Sequence, residues 1–487
     1  MDPKEAERSG DDPTALGALS LSRAIRAREL SCREVMQAYL ERIHRLNPRF
    51  NAIVNLAPDE LLLRQADERD AELARGQWRG WMHGLPQAIK DTGQAAGFPT
   101  TWGCELLAGM TAREDSLYVT RMKAAGCIVI GKTNMPEFGL GSHTYNSLFG
   151  TTGNAWDPSR SAGGSSGGAA VALAQRLLPV ADGSDFMGSL RNPAGWNHLF
   201  GLRPSPGRVP GWPRPELYVS QLGTDGPMAR HAADLAALLR TQSGPDPRVP
   251  LCLSDTLSED DEPSSLSGLR IGWLGDLGGH LAVEAGILDV CEGALRRMAA
   301  AGARVEPLSP GFSPATVWDA WLVWRRALVA PGVAAVLALP GARERIKPEA
   351  LWEHDSAQGL SFAEFMRASA ARGQFHGQML RHFERFDLLA LPVAQVWPFD
   401  ASQDWPREIA GRTMDTYHRW MEATLYATFA GAPALSLPAG FDTTGRLPMG
   451  LQLIAAPRAD ALLLRVAAAW EALVPDLLAR RPPEPAP

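Results

Sequence analysis

Two glycine pairs enclose two serines in Ser161-Ala-Gly-Gly-Ser-Ser-Gly-Gly168, and Gly183-Ser-Asp-Phe-Met-Gly-Ser-Leu-Arg191 uses the same small residues again. Glycine has no Cβ, so the chain can turn tightly there and admit other groups at close range. Two such turns can set two hydroxyls face to face and aim main-chain N–H groups at one point. Acyl transfer needs that combination of nucleophile, proton relay and anion cradle. The first stretch lacks the lysine and spacing of a phosphate loop. Its composition alone also suits a flexible linker, but it lies between patterned segments and leads into a small-residue helix, Ala169–Gln175. The start of that helix would polarise whatever Ser165 touches.

Around this stretch, helical and strand periodicities alternate. Ser31-Cys-Arg-Glu34 is a capping box. It opens a helix with Val35, Tyr39, Ile43 and Leu46 on one face, expected to stop before Asn47-Pro48. A second helix spans 57–75, with Leu61, Leu62 and Leu63 on or near its buried side. Leu85–Asp91 reads as a buried strand ending in Lys90-Asp91, Ser116–Ala125 as a helix, Cys127–Ile130 and Leu178–Ala181 as strands. The long Gly/Ser/Thr/Asn segment 139–168 reads as loop. Beyond an acidic linker at 254–267, Leu269–Leu274 is a strand, 283–301 an amphipathic helix and 315–385 mainly helical. Leu388–Pro392, Ala434–Leu437 and Gly450–Ile454 are late strands before a closing helix at 460–472. The alternation predicts an α/β architecture with helices on both faces of a sheet. Residues 1–12 and the Pro-rich 480–487 read as tails around a domain spanning 13–479.

Composition narrows the function classes. The chain has 487 residues, 45% hydrophobic and 21% charged, with a formal net charge of −6. That charge gives no reason to expect nucleic acid as a partner. Cys32, Cys104, Cys127, Cys252 and Cys291 are scattered and odd in number, which predicts a reducing compartment and neither a disulfide framework nor a zinc knuckle. The charged N-terminus is not a signal peptide. The apolar run 327–342 is short for a membrane span and is interrupted by Pro331 and Pro340. A cytoplasmic protein is expected.

Three polar residues stand out: Lys90, Ser165 and Ser189. A lysine closing an apolar strand is commonly a surface residue or half of an ion pair, for example with Asp91. Held among glycines and apolar neighbours it can instead lose its charge, and a neutral lysine is a competent general base. The ten histidines show no metal-binding spacing. His143 and His198 lie near the serine loops, yet the G-x-S-x-G elbow of many Ser-His-Asp hydrolases is absent.

Lys90-Asp91, Gly163–Gly168 and Gly183–Pro193 together resemble the amidase signature family. The likeness extends through Gly131-Lys-Thr-Asn134, Phe149-Gly150, Gly201-Leu-Arg-Pro204, Gly431–Pro438 and Leu447–Gln452, and is weakest at 240–385. The resemblance implies a single large α/β/α domain around a mixed sheet of roughly ten or more strands. It implies Ser189 as nucleophile, Lys90 as base, and Ser165 as bridging serine joined to Gly164 by a cis peptide bond. It implies an oxyanion hole of the N–H groups of Phe186, Met187, Gly188 and Ser189, and places Gly139 beside the substrate. Ser166, Asp185 and Arg191 would be supporting residues. No metal or organic cofactor is implied. The expected partner is a small amide, carbamate or ester, with a monomer or homodimer both open. The family usually has Gly-Gly where this chain has Met187-Gly188. Met187 would either pack inward as filler or narrow the acyl pocket, which makes it a candidate substrate contact.

Trp318, Trp321 and Trp324 recur at helical spacing in the variable segment of about 310–385, a pattern that fits core or an aromatic pocket. The leading expectation is an amide hydrolase for apolar or aryl substrates. The alternatives are the glutaminase component of a transamidating complex and an inactive binding scaffold.

Overall fold

A computed structural model describes residues 12–258 and 265–483. The outer parts of both expected tails and the middle of the acidic linker lie outside the described residues. The larger of two main sheets has eight strands. Their order is Arg304–Pro307, Arg270–Trp273, Leu388–Pro392, Pro448–Ala455, Ala434–Phe441, Phe200–Arg203, Thr224–Ala229 and Ala181–Asp185. The first three run parallel and every later pairing is antiparallel. Ile53–Val54, Ile128–Thr133 and Pro86–Lys90 form a smaller sheet in that order. The mixed α/β fold is as expected, with its strands divided between two ladders.

A side chain joins the ladders where main-chain pairing does not. Asp182, on the edge strand of the larger sheet, accepts from the Lys90 N–H at 3.1 Å, the Gln87 amide at 3.1 Å and the Tyr118 hydroxyl at 3.2 Å. Burial raises its carboxyl pKa, and these hydrogen bonds oppose the rise. The Gly167–Ala174 helix is buried at every position. A Cβ on Gly168 would stand 2.5 Å from the main chain of Asn134 and 2.6 Å from the Ala52 carbonyl. Only glycine lets this helix start so close to the smaller sheet, and that seat places the two preceding serines.

Three local expectations need correction. The Ser31/Glu34 capping box is present, but its helix runs on from Cys32 to Phe50 with Pro48 inside. Pro48 removes one hydrogen bond near the helix end, while Phe50 is buried and Asn51 closes the helix in the left-handed region. The strand expected at Leu178–Ala181 lies at Ala181–Asp185 and carries Gly183 and Ser184 itself. The tract holding Pro331 is part of one helix, Pro314–Leu337, long and apolar enough by length and composition to cross a membrane. It buries Trp318, Trp321 and Trp324 against the protein's own second apolar cluster.

Removing the Asp182 carboxylate leaves the buried Lys90 N–H and Tyr118 hydroxyl without this acceptor and the Gln87 amide with only a 3.4 Å contact to the Ala88 carbonyl. Asp182→Ala is expected to lower stability by about 2–4 kcal/mol, read as a shift in the urea midpoint. A shift within error would show that the two ladders do not depend on it.

Candidate active site

Lys90 ends its strand almost wholly buried, and its Nζ meets four oxygens. Ser165 Oγ is at 2.7 Å, Ser166 Oγ and Ser184 Oγ at 2.9 Å, and the Ser184 carbonyl at 3.4 Å. No carboxylate among the described residues makes an ion pair with it. Burial pushes its pKa down to about 7, against a weaker opposite pull from Asp225, Asp185 and Asp182. A neutral amine has two N–H donors and one lone pair. The carbonyl and the flanking hydroxyls can take the donors, leaving the lone pair for the Ser165 O–H, the shortest contact. Asp91 is engaged elsewhere: it accepts from Thr101 and Gly103 and lies 3.8 Å from Lys132.

Ser165 follows a cis peptide bond from Gly164. Gly139, at a φ of +72°, brings its loop against Ser165, and a Cβ there would stand 3.5 Å from Ser165 Oγ. The two serine loops are tied directly, since the Ser166 N–H donates to the Ser189 carbonyl at 3.3 Å. Ser189 is 7% exposed and Ser165 4%, so both hydroxyls are nearly shielded from bulk water. Ser184 is the contact that sequence reasoning missed. It lies in the 183–191 stretch, but only the strand's position beside Lys90 gives its hydroxyl a role.

Asp185 organises the turn that carries Ser189. Its carboxylate accepts from the N–H groups of Gly188 at 2.9 Å and Leu190 at 3.1 Å, and from Arg191 Nε and Nη2 at 3.0 and 2.9 Å. Burial would raise its pKa, but Arg191, Arg203 and the Gly188 N–H together hold it well below the usual carboxylate range. Arg191 continues to the Thr424 carbonyl, the Thr428 hydroxyl and Gln452. Of the four N–H groups expected to form an oxyanion hole, that of Gly188 is therefore taken. Those of Phe186, Met187 and Ser189 have no acceptor among the described residues. Gly188 has a φ of +91°, and a Cβ there would stand 2.6 Å from Thr424 Oγ1.

Met187 is absent from the positive-φ residues, so the departure from Gly-Gly needs no unusual backbone. Its side chain is buried in the same cluster as Trp318, Trp321 and Trp324. Phe186 packs on Trp321 with ring centroids 5.5 Å apart. Arg325, one turn further along that helix, lies 5.6 Å from the ring centroids of both Phe186 and Tyr417. It pairs with Glu353 and donates to the Tyr417 hydroxyl at 2.6 Å. Tyr417 belongs to a third apolar cluster with Cys104 and Leu140, against which Phe138 packs beside Gly139.

The histidines serve the scaffold. His143 Nδ1 meets Ser161 Oγ at 2.7 Å, but its Nε2 faces the Ala401 carbonyl at 3.1 Å. A carbonyl only accepts, so Nε2 carries the proton and Nδ1 accepts from Ser161. Ser161 is fully buried. Burial pushes His143 down to about 4, and His198, bound to the Leu477 carbonyl, likewise to about 4.

The family model described as Amidase matches residues 34–464. An acylamidase of Rhodococcus erythropolis is 33% identical over 469 residues, covering 94% of this chain and 96% of the relative. The A subunit of the glutamyl-tRNA(Gln) amidotransferase of Thermus thermophilus is 36% identical over 476 residues, covering 93% and 96%. Among solved structures, a bacterial aryl acylamidase of the amidase signature family superposes with a TM-score of 0.88 at 29% identity, covering 96% of this chain and 99% of that one. A peptide amidase of Stenotrophomonas maltophilia gives 0.79 at 29% identity, covering 96% and 98%.

Breaking the buried pair under the turn is expected to be costly. Arg191→Met should lower stability by about 3–5 kcal/mol, because it strips Asp185 of its closest cation. Chemical denaturation of the variant measures this, and a loss below about 1 kcal/mol would mean that Arg203 alone sustains Asp185.

Proposed function

The chain belongs to the amidase family and is an amide-hydrolysing enzyme, and from that premise we propose a Ser189–Ser165–Lys90 mechanism acting on acylated aryl or other apolar amines. The observation that carries it is the 2.7 Å contact between Lys90 Nζ and Ser165 Oγ in a site where burial brings the lysine to about 7. Neutral Lys90 takes the proton of Ser165 as Ser165 takes that of Ser189, and Ser189 attacks the carbonyl carbon. The unengaged N–H groups of Phe186, Met187 and Ser189 receive the oxyanion, while the Gly188 N–H braces the turn through Asp185. The proton returns through Ser165 to the leaving nitrogen. Water then cleaves the acyl-enzyme by the same relay. The protein works as a soluble cytoplasmic enzyme in this reading.

Likeness to an acylamidase and an aryl acylamidase supports the substrate class. So does the apolar wall of Phe138, Leu140 and Tyr417 beside Gly139. Carbamates and esters present the same acyl carbon and fall within the proposal. Met187 packs inward with the tryptophans, so selectivity among acyl groups is graded, about 1–3 kcal/mol per apolar contact. The similarity to a glutamyl-tRNA(Gln) amidotransferase component favours a second reading, ammonia release from glutamine.

Hydrolysis rates of acetanilide, an aryl carbamate, an activated aryl ester and glutamine test these readings together. Ser189→Ala is expected to abolish turnover, and a serine-reactive sulfonyl fluoride should label Ser189 in the wild type. Ser165→Ala should lose about 10²–10⁴-fold on the anilide and much less on the activated ester, whose leaving group needs no proton. Equal losses would make Ser165 structural. Glutamine as the best substrate would replace the aryl reading.

The base works when unprotonated, so kcat/KM should rise with pH, about tenfold per unit below the Lys90 pKa, and level off above about 7. A profile already flat at acid pH would remove Lys90 as the base.

A further inference from the structure

A cavity of about 550 Å³ is lined by Gly223, Trp324, Ser369, Arg372, His376 and Phe429, among others, and by none of Lys90, Ser165 and Ser189. It adjoins the oxyanion turn: a Cβ on Gly223 would stand 3.5 Å from the Phe186 ring. Arg372 reaches it from the Phe362–Arg385 helix. Its Nε donates to the Phe429 carbonyl at 2.9 Å, and the guanidinium carbon lies 4.6 Å from the Trp324 ring centroid and 5.5 Å from that of Phe429. One turn along, His376 Nδ1 donates to the Ala430 carbonyl at 2.8 Å.

These two bonds cap the C-terminal end of the Leu425–Ala430 helix, an ordinary place for a cation. The cap uses Nε alone. The two terminal amino groups of Arg372 have no acceptor, and no carboxylate pairs with it, among the described residues. The nearby acids are occupied. Glu216 accepts from the N–H groups of Tyr218, Val219 and Ser220, and Asp225 pairs with Arg214 at 2.9 Å. Burial lowers the Arg372 pKa to about 10 with nothing opposing it. Arg203, fully buried with Nε and Nη2 unpartnered, is close enough for the two cations to repel.

A half-buried guanidinium fork between two aromatic rings, with its outer donors free, matches one ligand chemistry. We propose that this cavity binds an aryl carboxylate, its carboxylate bridging the terminal amino groups of Arg372 and its ring lying against Trp324 and Phe429. An anion there neutralises the unpaired charge, and the flat apolar walls select the ring. The site's lining includes none of Lys90, Ser165 and Ser189, and it approaches the Ser189 turn through Gly223 beside the Phe186 ring.

Calorimetric titration of the whole protein with benzoate tests this, in a Ser189→Ala background so that the comparison ligand benzamide is not hydrolysed; hydrolysis assays keep Ser189. Benzoate should bind, and benzamide, its neutral isostere, should bind at least about tenfold more weakly. Arg372→Gln should weaken benzoate by at least about tenfold. Because Arg372 also caps a helix, Ser369→Phe is the second variant: it puts a ring into the cavity on the face that carries Arg372, where benzoate would lie, and leaves the cap in place. It should abolish benzoate binding while retaining acetanilide hydrolysis in the absence of benzoate. Inorganic phosphate should not displace benzoate. The proposal is overturned by absence of benzoate binding, by equal binding of benzamide, by undiminished binding to either variant, or by displacement with phosphate alone.

Discussion

The amine of Lys90, at the centre of this structure, is buried with no carboxylate in ion-pair contact among the described residues. A carboxylate in contact with Lys90 would have kept it charged and useless as a base. Hydroxyls and one carbonyl surround it instead, groups that can donate or accept as its protonation changes. The carboxylates that could have paired with it are committed elsewhere. Asp91 holds the Thr101 loop, Asp182 joins two ladders, and Asp185 is claimed by Arg191 and Arg203. The polar interior is thus partitioned: strong ion pairs fix the walls, and the groups proposed to react are left to neutral partners.

The same partition explains the turn before Ser189. Three N–H groups there have no acceptor among the described residues, while a fourth, on Gly188, is bound to a buried carboxylate. Asp185 is held from below by Arg203 and by Arg191, which reaches on to the Thr424–Thr428 segment and Gln452 on another strand. An anion cradle works without reorganising only if its donors are held before the reaction begins.

Much of this was legible in the sequence, for a physical reason. Ser165 and Ser189 sit in runs of small residues that permit close approach and Lys90 closes an apolar strand, so local pattern marked the positions while the family resemblance suggested their roles. Leu388–Pro392 is a strand at the bounds that its apolar pattern indicates. Other features depended on contacts that local pattern does not encode. Ser184 acts because its strand lies beside Lys90. Pro48 and Pro331 sit inside helices because burial of Phe50 and of the tryptophan face outweighs a missing hydrogen bond. The spacing of Trp318, Trp321 and Trp324 fitted core more readily than pocket; all three are buried in the second apolar cluster, and Trp324 also lines the cavity beside Arg372.

The Pro314–Leu337 helix touches the turn through Trp321 on Phe186, and through Arg325 it reaches Tyr417 in the apolar wall beside Gly139. One element therefore braces both the turn and the apolar cluster beside Gly139. Mutations in it are expected to be epistatic: a change that repacks that cluster also shifts the support under the proposed anion cradle. Directed evolution toward a new substrate in this segment would meet a rate–selectivity trade-off at the first step, and relief would come from second-site changes at Phe186 or Tyr417.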